Sequence, residues 1–284
     1  MATLAPLPAH SAPRRRHLRR HSLPVRIAHW TTAVAILFLL MTGLNIFGAH
    51  PRLYWGDTGS VEQTHRQWLQ VGVSGTMAAP QGWLDVGNRR FDTTGVLGAS
   101  IGPNKRWSIV AFPHWATFPS ARDLATARTW HFFFAWVLIA AGLLYLAHGI
   151  ITGHIARDLL PRWRQLSLRH IARDIIGHLK LNFPKDEAAL HYQLLQRIAY
   201  TGVVLLLIPI VILTGMAMSP GLNAAFPWLD ALWGGRQSAR SVHFLAAGGI
   251  ALFVGVHLMM VMLSGPFRQV GAMITGRLAI SEPR

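Results

Sequence analysis

The stretch RSVHFLAAGGIALFVGVHLMMVML, residues Arg240–Leu263, determines how the rest of the chain is organised. It is long enough to cross a bilayer, since about 20 apolar residues span the hydrocarbon core. It also carries His243 and His257, which lie roughly 21 Å apart along a helix and within roughly 40° of each other around it. Polar rings at membrane depth are costly and mark functional sites. The stretch therefore predicts a membrane helix that serves two sites stacked across the membrane.

The composition indicates an integral membrane protein. Hydrophobic residues make up 51% of the chain and charged residues 13%, which is outside the usual range of soluble domains. Hydropathy windows of about 19 residues identify membrane helices. They predict an all-α fold in which one bundle of four transmembrane helices occupies residues 27–47, 130–151, 198–218 and 241–263.

The remaining segments are assigned around that bundle. Within the inner loop, apolar residues recur at helical spacing among basic ones, which predicts an amphipathic helix on the membrane surface. The N-terminal segment is rich in Pro, Ala and Arg and is expected to be a disordered basic anchor. The predicted boundaries are a disordered N-terminus at 1–22, one membrane domain at 23–278 with loops at 48–129 (outer) and 152–197 (inner), and a tail at 279–284.

The outer loop is too long for a simple connection and has either a function or its own structure. It contains five tryptophans among charged and turn-forming residues: Trp55, Trp68, Trp83, Trp107 and Trp115. Exposed aromatic residues beside charges are typical of a surface that docks another protein. A small cap packed on the bundle would have the same composition, and both interpretations stay open.

The basic charge predicts the orientation of the chain. The net charge is +16, with 27 Lys and Arg residues. Six precede the first span, eight lie in the inner loop and three in the tail, against two in the loop between the last two spans. Because short cytoplasmic segments carry the excess of Lys and Arg, both termini are expected in the cytoplasm and the protein in a bacterial inner membrane. This distribution favours contact with membrane lipid over nucleic acid.

The histidines in the spans sort by depth into two pairs. His131 and His243 lie near the outer ends of their helices, and His29 and His257 lie near the inner ends. Two such pairs are what two b-type haems require as axial ligands. The chain has no cysteine, which excludes covalent c-type haem and thiolate-bound clusters. A histidine-lined metal transporter is the rival, but none of the four spans contains the Asp or Glu that such sites use.

Several motifs resemble one family. The stretches PVRIAHW at 24–30, ARTWH at 127–131, GGRQSARSVHF at 234–244 and FVGVH at 253–257 are similar to those of the cytochrome b subunits of formate dehydrogenase, nickel–iron hydrogenase and thiosulfate reductase. TGHIARDLLP at 152–161 and AMITGR at 272–277 make the thiosulfate-reductase type the nearest. The resemblance covers about residues 22–278, apart from an outer loop that is longer than usual.

The resemblance implies a role for individual residues. It implies that His29, His131, His243 and His257 ligate the iron of two haem b groups. It also implies a quinone, exchanged near the inner haem. The family often has Tyr-Asn before the third span where this chain has Tyr192-Gln193, and the groups assigned to quinone or haem propionates are His148, Gln193 and Arg197.

The resemblance further implies an electron-transfer subunit of a respiratory oxidoreductase. It would connect the quinone pool to a periplasmic redox partner, expected to be a molybdopterin enzyme. A different possibility is a non-redox membrane anchor for such an enzyme.

Overall fold

Four long apolar helices dominate the computed structural model, which describes residues 15–59, 66–161, 166–180 and 193–281. Each is long and apolar enough to cross a membrane, with a mean hydropathy of 2.0 to 2.4 in its best window. The four predicted spans and the helical membrane fold are confirmed. The spans are α1 (Leu23–Ala49), α2 (Leu124–Ile151), the broken helix Leu194–Met218, and α8 (Arg236–Leu263).

The spans pack in two antiparallel pairs, α1 with α2 and the third span with α8. Between α1 and α2, the ring of Phe38 stacks on Phe134 with 4.3 Å between centroids, beside the fully buried Ala35. Large side chains such as Leu144, at 72% exposed, cover the outside of the bundle. Such a surface suits contact with lipid tails, because apolar side chains lose no hydrogen bonds in the hydrocarbon region.

The third span is interrupted near its middle. It consists of α4 (Leu194–Gly202), a π-helical turn (Val203–Leu207) and α5 (Ile208–Met218). Pro209 follows the turn and has no N–H to donate to the preceding turn. The amide of Ile208 bonds to the carbonyl of Val203 instead, so backbone hydrogen bonding continues through the wider turn.

The outer loop forms a β-rich cap, which adds strands to an otherwise helical protein. A four-stranded antiparallel sheet has the order β2-β3-β4-β5, and a separate hairpin pairs β6 with β7. Alternating side chains of β3, QWLQVGVSG, place Leu69 and Val71 in a core with Leu53 and with Phe47 of α1. The strands are β2 (Arg52–Tyr54), β3 (Gln67–Gly75), β4 (Pro80–Val86), β5 (Arg89–Asp92), β6 (Gly98–Ile101) and β7 (Trp107–Val110).

Hydrogen bonds join this cap to the start of α8. The indole Nε1 of Trp68 donates to Ser241 Oγ (2.9 Å), and Ser241 Oγ donates to the carbonyl of Tyr54 (2.6 Å). One turn earlier, Ser238 Oγ accepts from the amide of Gly56 (2.8 Å). Ser241 is fully buried, so the cap fixes the helix two residues before His243.

Short elements complete the fold. At the outer end of the bundle, a 3₁₀ turn (His114–Ala116) precedes α2. Two short helices, α6 (Pro220–Ala225) and α7 (Trp228–Ala231), precede α8. A π-helical turn (Ile155–Leu159) follows α2. The amphipathic helix predicted in the inner loop is α3 (Leu168–Leu179).

The two ends of the described chain meet beside the inner end of α1. Strand β1 (Arg15–Arg19) pairs antiparallel with β8 (Arg277–Ser281), which follows α9 (Pro266–Thr275). The prediction of disorder over residues 1–22 is therefore wrong for the β1 segment, while residues 1–14 lie outside the described ranges. Strand β8 also crosses the predicted boundary between the membrane domain and the tail.

Two of the sequence motifs have a structural role at this junction. The guanidinium of Arg26 donates to the carbonyls of Met273 and Ile274 at the end of α9. The carbonyl of Gly276 accepts from the amides of Arg20 and His21. These bonds satisfy carbonyls that a helix end leaves free, and they hold α9 against the start of α1.

Candidate functional site

The four span histidines lie in two pairs, and α8 contributes one ring to each. His131 and His243 have 6.3 Å between ring centroids and an interplanar angle of 55°. His29 and His257 have 6.4 Å and 58°. The structure thus brings these rings together in the combinations that their depth predicts. We call them the outer pair and the inner pair.

The spacing within each pair fits a single metal held between two imidazoles. An imidazole nitrogen binds a metal at about 2 Å, so two rings on opposite sides of one metal place their centroids roughly 6 Å apart. In the described ranges, no group of three or more His, Cys, Asp or Glu side chains could hold a metal ion. A donor set of two imidazoles is what an iron with four further ligands from a porphyrin needs.

Each ring of the outer pair is held by a threonine and faces a glycine. Thr42 Oγ1 lies 2.9 Å from Nδ1 of His131, and Thr214 Oγ1 lies 3.0 Å from Nδ1 of His243. A Cβ built on either of the next residues, Gly43 or Gly215, would lie 3.5 Å from Cε1 of the same imidazole. Both threonines are fully buried, so the two contacts are shielded from water.

The inner pair has different surroundings. Nδ1 of His29 is buried and has no hydrogen-bond partner among the described residues. The ring of Trp30 meets His29 edge-on at 5.1 Å. On the other side, Phe253 stacks on His257 at 5.6 Å and Tyr200 approaches it at 6.4 Å. An apolar, aromatic wall therefore surrounds the inner rings.

The three residues assigned to quinone contact different parts of the inner end. Nε2 of His148 lies 3.4 Å from Ser22 Oγ, beside the start of α1. Gln193 is the N-cap residue of α4, where its side chain and that of Gln196 form a capping box. Arg197 reaches the carbonyl of Leu160 (3.4 Å). His148 is thus placed on the α1–α2 side, whereas the other two belong to the start of the third span.

A further histidine lies next to the inner pair. Burial, followed by the charge of the neighbouring Arg20 guanidinium, lowers the pKa of His21 to about 4. The rings of His29 and His154 contribute to the same lowering. His21 is therefore uncharged at neutral pH and lies half-buried beside the inner end of α1.

The residues around the outer pair were not predicted from the sequence. Thr42-Gly43 and Thr214-Gly215 occur in the similar stretches LLMTG and VILTG, in the first and third spans. This repeat was the available signal. A single Thr in an apolar helix is unremarkable, but the same Thr-Gly pair in two spans marks two related positions.

Comparisons with known proteins give the family. The family model described as prokaryotic cytochrome b561 matches residues 20–276. A protein of Azospira oryzae named "Putative protein-methionine-sulfoxide reductase subunit YedZ1" is 37% identical over 153 residues, which is 54% of this chain and 72% of that protein. No solved structure matches the chain. With a match over nearly its whole length, the chain belongs to the prokaryotic cytochrome b561 family, membrane proteins that bind haem b and transfer electrons.

Proposed function

We propose that this chain is a di-haem cytochrome b that carries electrons across the membrane between a redox partner on the cap side and the quinone pool on the inner side. The observation that supports it is the presence of two bis-imidazole pairs, with 6.3 and 6.4 Å between centroids, along one helix. Haem supplies reversible one-electron chemistry when bound. The chain supplies the four axial ligands, the burial of each site and the separation between the sites.

The spacing along α8 supports transfer between the two sites. His243 and His257 are separated by fourteen positions of a continuous helix, roughly 21 Å at 1.5 Å per residue. Haems held by these two residues would place two one-electron carriers at the two ends of that interval.

The cap supports an oxidoreductase partner on the outer side. Trp115 is 80% exposed and Trp55 is 42% exposed, and exposed aromatic residues are enriched where proteins dock. The relative named as a subunit of a protein-methionine-sulfoxide reductase indicates a partner that reduces its substrate with electrons received from this chain. The comparisons do not favour the thiosulfate-reductase type over other members of the family. The proposal therefore names only the class of the partner, a periplasmic molybdopterin oxidoreductase, and not its substrate.

The first experiment is an optical one on the purified protein. A dithionite-reduced minus oxidised spectrum is expected to show the α-band of haem b, and a pyridine haemochrome assay is expected to give two haems per chain. Addition of a quinol is expected to reduce both haems. Absence of haem would favour the non-redox anchor, and bound transition metal without porphyrin would favour a transporter. Haem that quinol fails to reduce would contradict the quinone part of the proposal.

The position of His148 leads to a prediction about quinone. Replacing His148 with Ala is expected to slow quinol-dependent haem reduction on the order of 100-fold, because a positioned imidazole that accepts the quinol proton contributes at least this much. Stopped-flow spectroscopy measures the rate, and the number of haems should not change. The matched control is His170→Ala, an exposed histidine of α3 that bonds locally to Ser167.

The variants Gln193→Ala and Arg197→Ala distinguish between two positions for the quinone at the inner end of the bundle. If the quinone binds beside α1 and α2, these variants keep the wild-type rate. If they slow the reaction while His148→Ala does not, the quinone binds at the start of the third span. Wild-type rates in all three variants would contradict the inner quinone site built from these residues.

A further inference from the structure

We propose that Thr42 and Thr214 are positioning residues that fix the tautomer and ring orientation of both outer-pair histidines, and that this sets the outer haem apart from the inner one. The proposal rests on the di-haem function proposed above. It concerns two residues that carry no ligand atom themselves. The supporting observations are the hydrogen bonds of their hydroxyls, the adjoining glycines and the contrast with the inner pair.

The hydroxyl proton of each threonine is already engaged. Thr42 Oγ1 donates to the carbonyl of Phe38 (2.6 Å), and Thr214 Oγ1 donates to the carbonyl of Ile210 (2.6 Å). A hydroxyl has one proton to donate and two lone pairs that accept. Toward the histidine ring, each threonine can therefore only accept. The bond at 2.9 Å in one case and 3.0 Å in the other must run from an N–H at Nδ1 to Oγ1.

This direction fixes the tautomer of both rings. The proton is held at Nδ1, which leaves the lone pair of Nε2 free to bind a metal.

The arrangement occurs twice with the same dimensions. Gly43 of α1 lies beside the ring of His131, and Gly215 of α5 lies beside that of His243. In each case a built Cβ would lie 3.5 Å from Cε1 and 3.8 or 3.9 Å from Nδ1, which is ordinary van der Waals contact. The same hydroxyl contact and the same neighbouring glycine thus accompany both rings of the outer pair.

The inner pair has no equivalent contact at His29. Its Nδ1 is buried without a partner among the described residues. A hydrogen bond from Nδ1–H to an acceptor makes an imidazole a more basic ligand. Basic ligands favour the ferric over the ferrous state, so the threonines lower the midpoint potential of the outer haem. The chain therefore distinguishes its two haem sites through groups outside the ligand set.

The test replaces each threonine with valine, which has the same shape but cannot accept a hydrogen bond. Thr42→Val and Thr214→Val are each expected to weaken binding of the outer haem about tenfold, the lower end of the range for such contacts. The outer haem should also titrate at a higher potential, and its low-spin electron paramagnetic resonance signal should shift. Thr42→Ser keeps the hydroxyl and is expected to restore wild-type values.

A control variant and three possible outcomes distinguish failure of the threonine proposal from failure of the di-haem function. Thr129→Val removes a hydroxyl that bonds to the carbonyl four residues earlier, as in Thr42, but is exposed, and it should leave both haems unchanged. Two haems with wild-type potentials and signals in both valine variants would overturn the inference while the function stands. Equal loss of both haems would also overturn it, by showing a general packing defect. A wild-type protein without haem would refute the di-haem function itself.

Discussion

Replacing His131 or His243 with alanine is expected to reduce the haem content from two per chain to one. Each substitution would remove one of the two rings proposed to ligate the outer haem, and a haem held by a single ring would be lost during purification. The inner rings do not contact the outer pair, so their haem should remain. Pyridine haemochrome assay and a redox titration, which should show one transition instead of two, measure the result.

Double variants test which rings share a site. Two substitutions at one site should remove one haem, whereas one substitution at each site should remove both. His131→Ala combined with His243→Ala should keep one haem, since both changes affect the outer site. His131→Ala combined with His257→Ala should keep none. If a single variant of His131, His243, His257 or His29 keeps both haems, the substituted ring is not a ligand. His50→Ala, a control at the outer end of α1, should keep both.

The second large effect is expected in the cap, where three glycines allow strands to cross. A Cβ on Gly82 would lie 2.0 Å from the carbonyl oxygen of Leu97, and a Cβ on Gly98 would lie 2.1 Å from that of Gly72. Since backbone atoms cannot move aside without breaking the sheet, Gly82→Val should destabilise the cap by at least about 3 kcal/mol. Limited proteolysis should then cut the cap in the variant while wild-type protein resists.

The haem content distinguishes two roles of the cap. If the cap is a docking surface, Gly82→Val should keep two haems and lose electron transfer to the outer partner. Loss of the outer haem as well would show that the bonds to Ser241 are needed to position His243. The matched control is Gly87→Asn, because a Cβ at Gly87 meets no atom within 4 Å and asparagine tolerates its positive φ of 57°.

Hydrophobicity and spacing were sufficient to predict the membrane part of the fold. Long apolar runs leave a chain in lipid no alternative to helices, and the four predicted spans are confirmed. The fourteen-residue spacing between His243 and His257 predicts that both rings share a face of α8. The structure shows this through the rings that each one meets, His131 and His29. The assignment of these four rings as haem ligands stays a prediction.

Features that depend on contacts distant in sequence were not predictable in this way. The cap strands are short and rich in glycine, so their alternation is weak and the three crossing glycines resemble loop residues. Strand β1 falls within the segment predicted to be a disordered basic anchor, because its partner strand lies at the opposite end of the sequence. Depth along a helix also gives no direction around the bundle, which is why His148 was grouped with Gln193 and Arg197.

The position of α8 in the chain has a consequence for biosynthesis. Both pairs draw one ring from this helix, and it is the last of the four spans to leave the ribosome. The first span enters the membrane with His29 before His257 is synthesised, so under the proposed ligation neither site is complete in a chain that still lacks α8. Haem loading at both sites would therefore follow insertion of the whole bundle.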